Sequence, residues 1–396
     1  MPQSWLTASD CLPAPADEAL LVGRAWLPDV DGPSPVVVRE GGLYDVARLA
    51  PTVSQLLELD DPAAAIRGAR DLPRVGALAD LLSNSAVAGN DARDPAKPWL
   101  LAPCDLQAIK ASGVTFVASL LERVIEEQAR GDAGKAESIR QSIAAIIGSN
   151  LRDIRPGSPQ AMAVKDALIA QGVWSQYLEV GIGPDAEIFT KGQPLSAVGT
   201  GAEIGVHPKS EWNNPEPEIV LAVTSHGRIA GATLGNDVNL RDFEGRSALL
   251  LGKAKDNNAS GAIGPFVRLF DEHFTLDTVR RCDVELSVTG ADGFTFTAAS
   301  SMSQISRDPL ELVEHAMGRH HQYPDGMLLF LGTMFAPTID RFGPGKGFTH
   351  AVGDVVRVST PALGALVNTV NHTDTIAPWT FGAAALMTNL ARRGLL

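Results

Sequence analysis

The run from Pro215 to Asp237 constrains this chain more than any other, because it reads as a hairpin that gathers three carboxylates. Glu216 and Glu218 stand two residues apart at the head of the apolar run Ile219 to Val223, so in an extended strand both side chains leave one face. A turn signal, Ser225-His226-Gly227-Arg228, follows, and after it comes a second segment from Gly231 to Asn236 and Asp237. If His226-Gly227 is a two-residue hairpin loop, Asp237 faces Glu216 across the strands and lies diagonal to Glu218. Like charges at that spacing repel unless something neutralises them. An all-oxygen donor set suits Mg2+, Mn2+ or Ca2+ better than zinc or copper. The alternative that spacing alone leaves open is a solvated acidic strand end.

With 396 residues, 45% of them hydrophobic, the chain can bury a large core, and a prior of about 150 residues per domain suggests two or three units. The formal net charge of -13, with no Lys/Arg cluster to offset it, argues against a nucleic-acid partner. It does not exclude a small anionic ligand, which needs only local cations. Met1 to Trp5 lacks a basic, then apolar, leader pattern, and no apolar run approaches the roughly 20 residues that span a bilayer. The expectation is a cytoplasmic protein with no membrane partner. Cys11, Cys104 and Cys282 are widely spaced and odd in number, which fits reduced thiols.

Residues 20 to 50 alternate apolar runs with turn signals and predict antiparallel strands. Thr52 to Arg70 reads as a helix capped by Thr52 or Ser54, and Gly89 to Pro98 as a linker. This gives a small N-terminal α/β domain over 1–97 and a larger unit over 98–396. Phe116, Leu120, Val124 and Ile125 recur at helical spacing, and the pattern resumes from Ser142 to Ile147, predicting a helical hairpin. From about Leu178 the chain is β-rich, interrupted by two helices at Pro309 to Gly318 and Ala377 to Arg392. Such grouping predicts an α+β fold, predominantly mixed β, over alternating βαβ units. Gly199 to Gly205 has the wrong glycine spacing for a dinucleotide loop and reads as turns. No nucleophile elbow, Walker loop, Cys-x-x-Cys or His-Glu-x-x-His motif is present. His320-His321 fit an ordinary helix end, and His207, near the acidic strand, is the better outside candidate.

Several motifs, in order, are similar to those of the fumarylacetoacetate hydrolase superfamily. They are Phe189-Thr190-Lys191, the acidic strand at Pro215 to Val223, Gly235-Asn236-Asp237 with Arg241-Asp242, Gly252-Lys253 ahead of Gly264-Pro265-Phe266, and Gly332-Thr333. The resemblance covers about Leu100 to Asn371. It implies a C-terminal β-roll with a helical lid or insert at about 114–177. It also implies a divalent cation, usually Mg2+, on Glu216, Glu218 and Asp237, with Lys253 and Thr333 contacting a bound oxyanion. Lys191, Arg241 and Ser119 are expected on the substrate side, with a surface lysine and a structural ion pair as the alternatives for Lys253 and Arg241. Hydrolytic members carry a His-x-x-Glu pair on the lid helix, where this chain has Ser119-Leu120-Leu121-Glu122. Glu122 is therefore expected to move a proton without that histidine. Together with His207-Pro208-Lys209, the long insert and this serine, the pattern resembles the sugar-acid branch of the superfamily. That implies dehydration of 2-keto-3-deoxy-D-pentonate to 2,5-dioxopentanoate by a homodimer or larger assembly. The alternatives are a hydrolase of acylpyruvates or diketo sugar acids, and a non-catalytic 2-keto-acid-binding protein.

Overall fold

A computed structural model describes residues 6–16, 18–86, 93–139, 154–170, 172, 174–335 and 337–396. Its strands in chain order are β1 Leu21–Leu27, β2 Gly32–Arg39, β3 Gly42–Asp45, β4 Arg74–Ala77, β5 Trp99–Leu101, β6 Ala108–Gly113, β7 Glu187–Gly192, β8 Glu203–Val206 and β9 Asn213–Asn214. They continue with β10 Pro217–Val223, β11 Ile229–Asp237, β12 Asn239–Leu240, β13 Gly261–Leu269, β14 Asp283–Thr289, β15 Thr295–Ser301, β16 Met327–Phe330, β17 Val355–Thr360 and β18 Gly364–His372. One large sheet runs β4-β3-β2-β1-β13-β11-β10-β16-β6-β7, with β5 paired to β1. A second sheet runs β15-β14-β17-β18-β8. Strands from both sides of the expected boundary at residue 97 therefore share the large sheet. The second sheet mixes antiparallel pairs with the parallel β18–β8 pair, and the first includes the parallel β16–β6 pair.

The central strand β10 shows how sequence alternation builds the layers. Ile219, Leu221 and Val223 face the second sheet and join Leu286, Val288, Val356 and Leu366 in one core. Val220 and Ala222 face the other way, onto Val22, Val53, Leu56 and Ile109. Every residue of β10 is buried, as expected for a strand covered on both faces. The even-numbered face that carries Val220 and Ala222 also carries Glu218, so the carboxylates lie at the end of a buried stripe.

The hairpin register is the expected one, but a different turn produces it. Pro217 pairs with Asn236 and Ala222 with Gly231, and the Asp237 amide donates to the Glu216 carbonyl at 3.0 Å. The loop is Ser225 to Gly227, closed by the Thr224 amide on the Arg228 carbonyl at 2.9 Å, with Gly227 at φ +82°. That three-residue loop sets the pairing one residue off, and the irregularity between Ala222 and Val223 restores it. The turn is tied to the N-terminal segment: Glu58 accepts from the Ser225 amide and hydroxyl at 2.5 and 2.9 Å, and Arg228 donates to the Leu57 and Leu59 carbonyls.

The expected helix over Thr52 to Arg70 is two helices, Val53–Glu58 and Pro62–Gly68. Thr52 caps the first; Asp61 caps the second, whose Pro62 suits a first turn that lacks amide partners. The C-terminal helix is Ala383–Arg392, starting later than Ala377 because Pro378 disfavours helical backbone before it. Short helices at Arg241–Glu244, Leu251–Lys255 and Leu276–Val279 add to the two expected in the β-rich part. Each is too short to show a helical period. The expected strands and the helix Pro309–Ala316 are present. Ser142 to Ile147 and Gly89 to Asp91 lie outside the described residues. Among the described residues no helix is long and apolar enough to cross a membrane.

Candidate active site

Glu216, Glu218 and Asp237 converge as the register requires, each buried, with one carboxylate oxygen from each within 4.8 Å of the others. Backbone geometry fixes them. The Asn236 side chain accepts from the Glu216 amide at 3.0 Å. Gly332, at φ +88°, turns its amide onto Glu218 Oε2 at 2.6 Å. A side chain at that position would meet Thr115 Oγ1 at 2.0 Å, so only glycine fits.

Two lysines hold this cluster. Lys255, at the end of the short helix Leu251–Lys255, places Nζ 2.6 Å from Glu216 Oε2 and 2.9 Å from Asp237 Oδ2. Lys191, buried on β7, reaches Asp237 Oδ1 at 2.9 Å and the Lys255 carbonyl at 2.5 Å. It thus acts from behind Asp237 and positions Lys255. Lys253 is exposed on the same short helix and does not reach the pocket. A helix turns about 100° per residue, so two residues apart means nearly opposite faces. The structure brings Lys255, not Lys253, to the carboxylates.

The helix Val117–Ala129 covers the cluster. Ser119 lines the pocket, its hydroxyl committed to the Phe116 carbonyl at 2.9 Å. Glu122 lines it too and accepts from Arg241 at 3.2 Å. Arg241 is buried against the Trp212 ring at 4.2 Å, with Glu126 at 2.6 Å and the Pro337 carbonyl at 2.9 Å. Arg241 is thus an ion-pair hub between the lid helix and the site. Arg123, which the sequence did not single out, bridges Glu216, Glu126 at 2.7 Å and Glu244 at 3.0 Å. Thr333 lines the pocket, and its hydroxyl accepts from the Phe335 amide at 3.0 Å. Glu187, at the start of β7, is a further lining residue, and Gly113 gives it room: a Cβ there would lie 1.9 Å from Glu187 Oε2. His207 packs edge-on against Phe243 and does not line the pocket; His320 and His321 are exposed. Among the described lining residues there is no histidine.

Among the described residues seven carboxylates line the site, at positions 122, 126, 187, 216, 218, 237 and 244, against four cations, Arg123, Arg241, Lys255 and, from behind, Lys191. Three negative charges are formally in excess, and three carboxyls are pushed upward. Burial, then Asp237 and Glu216, drive Glu218 well above the usual carboxylate range. Burial raises Glu244 in spite of Arg123 beside it. Burial, with help from the Glu244 charge, lifts Glu187 from 4.5 to about 7. Burial acts on Asp237 in the same direction, but Lys191 and Lys255 hold it low. Burial and the repulsion among these carboxyls thus favour protons on the three raised groups over the full negative charge. A cation with two charges and oxygen preference would offset two of the three excess negative charges, and oxygens within 4.8 Å suit one hard ion with bonds of about 2.0–2.6 Å. The donor set therefore fits Mg2+, Mn2+ or Ca2+.

Comparison with known proteins places this site in a family. Residues 176–371 match the model of the fumarylacetoacetate (FAA) hydrolase C-terminal domain. The chain is 30% identical over 184 residues to 2-dehydro-3-deoxy-D-arabinonate dehydratase of Saccharolobus solfataricus, covering 46% of this chain and 58% of that one. It is 30% identical over 194 residues to a probable 2-keto-3-deoxyxylonate dehydratase of Haloferax volcanii, covering 49% and 63%. It thus spans about three fifths of the length of these curated relatives. A solved structure of 2-keto-3-deoxy-D-arabinonate dehydratase complexed with magnesium and 2,5-dioxopentanoate covers 89% of this chain and 99% of its own, with TM-score 0.60 and 21% identity. That likeness shows a shared fold. The segment 176–371, with the acidic hairpin and its glycine-borne Gly332-Thr333 corner inside it, matches the fumarylacetoacetate hydrolase family.

Proposed function

We propose that this protein is a divalent-metal-dependent hydro-lyase that converts 2-keto-3-deoxy-D-pentonate into 2,5-dioxopentanoate and water. The observation that carries the reading is a pocket with three converging carboxylates, a proton-carrying glutamate poised at about pH 7 and no histidine to activate water for attack. The names of the two relatives at 30% identity support it, as does the magnesium and 2,5-dioxopentanoate of the structurally similar enzyme.

Glu216, Glu218 and Asp237 would hold the cation, which supplies Lewis acidity toward the carboxylate and 2-keto oxygens of a substrate and so acidifies its C3 protons. Lys255 and Thr333 bring an ammonium and a hydroxyl to the same pocket, where they would stabilise the negative charge that grows as a C3 proton leaves. Two glutamates could take that proton. Glu122 already accepts from Arg241, whereas burial holds Glu187 where it gives and takes protons near neutrality. Glu187 is therefore assigned the C3 proton, and Glu122 serves to orient Arg241. The electron pair from C3 expels the C4 hydroxyl as water once it is protonated. Transfer of a proton from C5 and return of one to C3 leave a C4–C5 enol, and movement of its hydroxyl proton to C4 gives the aldehyde, so the net change is loss of one water. The pocket encloses only about 30 Å3, so side chains around it must shift to admit a five-carbon acid.

Incubation with Mg2+ and a set of 2-keto-3-deoxy and 2,4-diketo acids, followed by NMR, tests the reading. An aldehyde product from the pentonate is expected. Pyruvate released from a diketo acid, or tight binding with no turnover, would overturn it.

A further inference from the structure

A cavity of about 190 Å3 opens away from the carboxylate pocket and shares none of its lining residues. Its walls are apolar and aromatic, including Trp26, Leu100, Val198, Ile376, Trp379 and Phe381. The aromatic wall is ordered by its own contacts: Trp26 stacks on Trp99 at 5.5 Å and meets Phe381 edge-on at 5.2 Å, and Trp379 donates to the Phe381 carbonyl at 2.9 Å.

Two guanidiniums, Arg24 and Arg93, line this mostly apolar space, with Ser196 and Asn258 as its other polar side chains among the described residues. Arg24 stands on β1 between Val22 and Trp26 on one strand face, a position that alternation assigns to the interior. It is 5% exposed, and its Nε and one terminal nitrogen have no hydrogen-bond partner among the described residues. Arg93 lies 5.8 Å above the Trp99 ring, and its Nε is likewise unpartnered. The acidic neighbours are committed elsewhere. Asp105 accepts from the amides of Val53, Ser54 and Leu106 at 2.6, 3.0 and 2.8 Å, and Glu203 accepts from Asn371 at 2.8 Å. Cys104, beside Arg24, stays a neutral thiol because burial pushes it up to about 12. Arginine does not lose its proton in proteins, so the buried Arg24 and the half-buried Arg93 stay charged, with Asp105 and Glu203 near enough to act through their charge but not bonded to the unpartnered nitrogens. A buried guanidinium left unpaired is costly unless a partner arrives.

We propose that this cavity is a second binding site, for a small organic carboxylate with an apolar or aromatic body. The carboxylate is received by Arg24 and Arg93, and the body lies against Trp26, Trp379 and Phe381. A guanidinium fork matches a carboxylate better than it matches a single neutral acceptor, and the aromatic lining excludes a bare inorganic ion as the best fit.

The test is calorimetric titration of the full chain with 3-phenylpropionate and with its uncharged amide. Saturable binding of the acid and not the amide is expected. Arg24→Met should weaken it at least about tenfold, as for loss of a charged hydrogen bond. Trp379→Ala, at a half-exposed rim position where folding is not in question, should weaken it as well. Glu216→Gln, in the other pocket, should leave it unchanged. No saturable binding, equal binding of acid and amide, survival in both Arg24→Met and Trp379→Ala, or loss in Glu216→Gln would each overturn the proposal. If Arg24→Met does not fold, Trp379→Ala decides.

Discussion

Replacing Glu187 by glutamine tests the electrostatic account of the site through stability as well as activity. The folded protein holds this carboxyl at about 7 against an ordinary 4.5. A raised value means the native state favours the protonated form. Its contribution to stability is therefore fully present below about pH 4.5 and lost as pH rises through 7. The interval between the two values corresponds to about 3 kcal/mol. Because Glu187 is only partly buried as a residue, solvent screening makes about 2 kcal/mol the working figure. Glu187→Gln removes the charge and keeps the shape. In urea titrations of the chelator-treated protein, the variant should match the wild type near pH 4.5 and exceed it by about 2 kcal/mol at pH 8. Turnover should fall by at least about 100-fold, the usual share of a general base. In the wild type, turnover should decline as pH drops below about 7, when the base is protonated. A stability difference that does not change with pH would refute the burial argument, and unchanged turnover would refute the assignment of the C3 proton.

Lys255→Met should destabilise the metal-free protein by about 3 kcal/mol or more because Glu216 and Asp237 lose their counter-ion, whereas Lys253→Met should stay within about 0.5 kcal/mol; thermal denaturation separates the two. Gly113→Ala should lower kcat while leaving Mg2+ affinity near wild type, since the added methyl displaces Glu187 and not the ligands; equal losses in both would show that the site collapses as a unit. Mg2+ binding at pH 7 should release one or more protons, read as a dependence of the calorimetric heat on buffer ionisation, because Glu218 is held protonated by burial and by its acidic neighbours. Its affinity should rise from pH 6 to pH 8. Removal of the ion by a chelator should abolish turnover.

The carboxylate trio was legible because strand alternation and hairpin pairing are short-range rules, and they place Glu216, Glu218 and Asp237 without knowledge of the rest of the chain. Even there the pairing came out right through a different turn, a three-residue loop corrected by a bulge. Lys255 was hidden because a five-residue helix shows no period, so a motif centred on Gly252-Lys253 drew attention to the lysine on the outer face. Arg123, Glu126, Glu187 and Glu244 were hidden for a different reason. Each is an ordinary charged residue in its local sequence and becomes part of the site only through partners tens of residues away, such as Arg123 with Glu216 and Glu244. One local signal was available for Glu126: with Glu122 it lies four residues apart on the same helix face. The continuity of the N-terminal strands with β13 was likewise beyond local pattern, since nothing in Leu21 to Leu27 states which strand it will meet.

The bonds from Glu58 to the turn at Ser225 take on a particular meaning beside the bulge in that hairpin. The hairpin holds one pairing from Pro217 to Ala222 and a pairing one residue away beside the turn, at Val223. Slipping from one to the other would rotate every side chain of β10 to the opposite face, carrying Glu216 and Glu218 out of the pocket and Ile219 and Leu221 out of the core between the sheets. Glu58 and the carbonyls of Leu57 and Leu59 grip Ser225 and Arg228 at the end farthest from the carboxylates. The N-terminal segment thereby acts as a latch on the alignment of strands whose working end it never touches, and a change at Glu58 would be felt as a loss of order about 20 Å away.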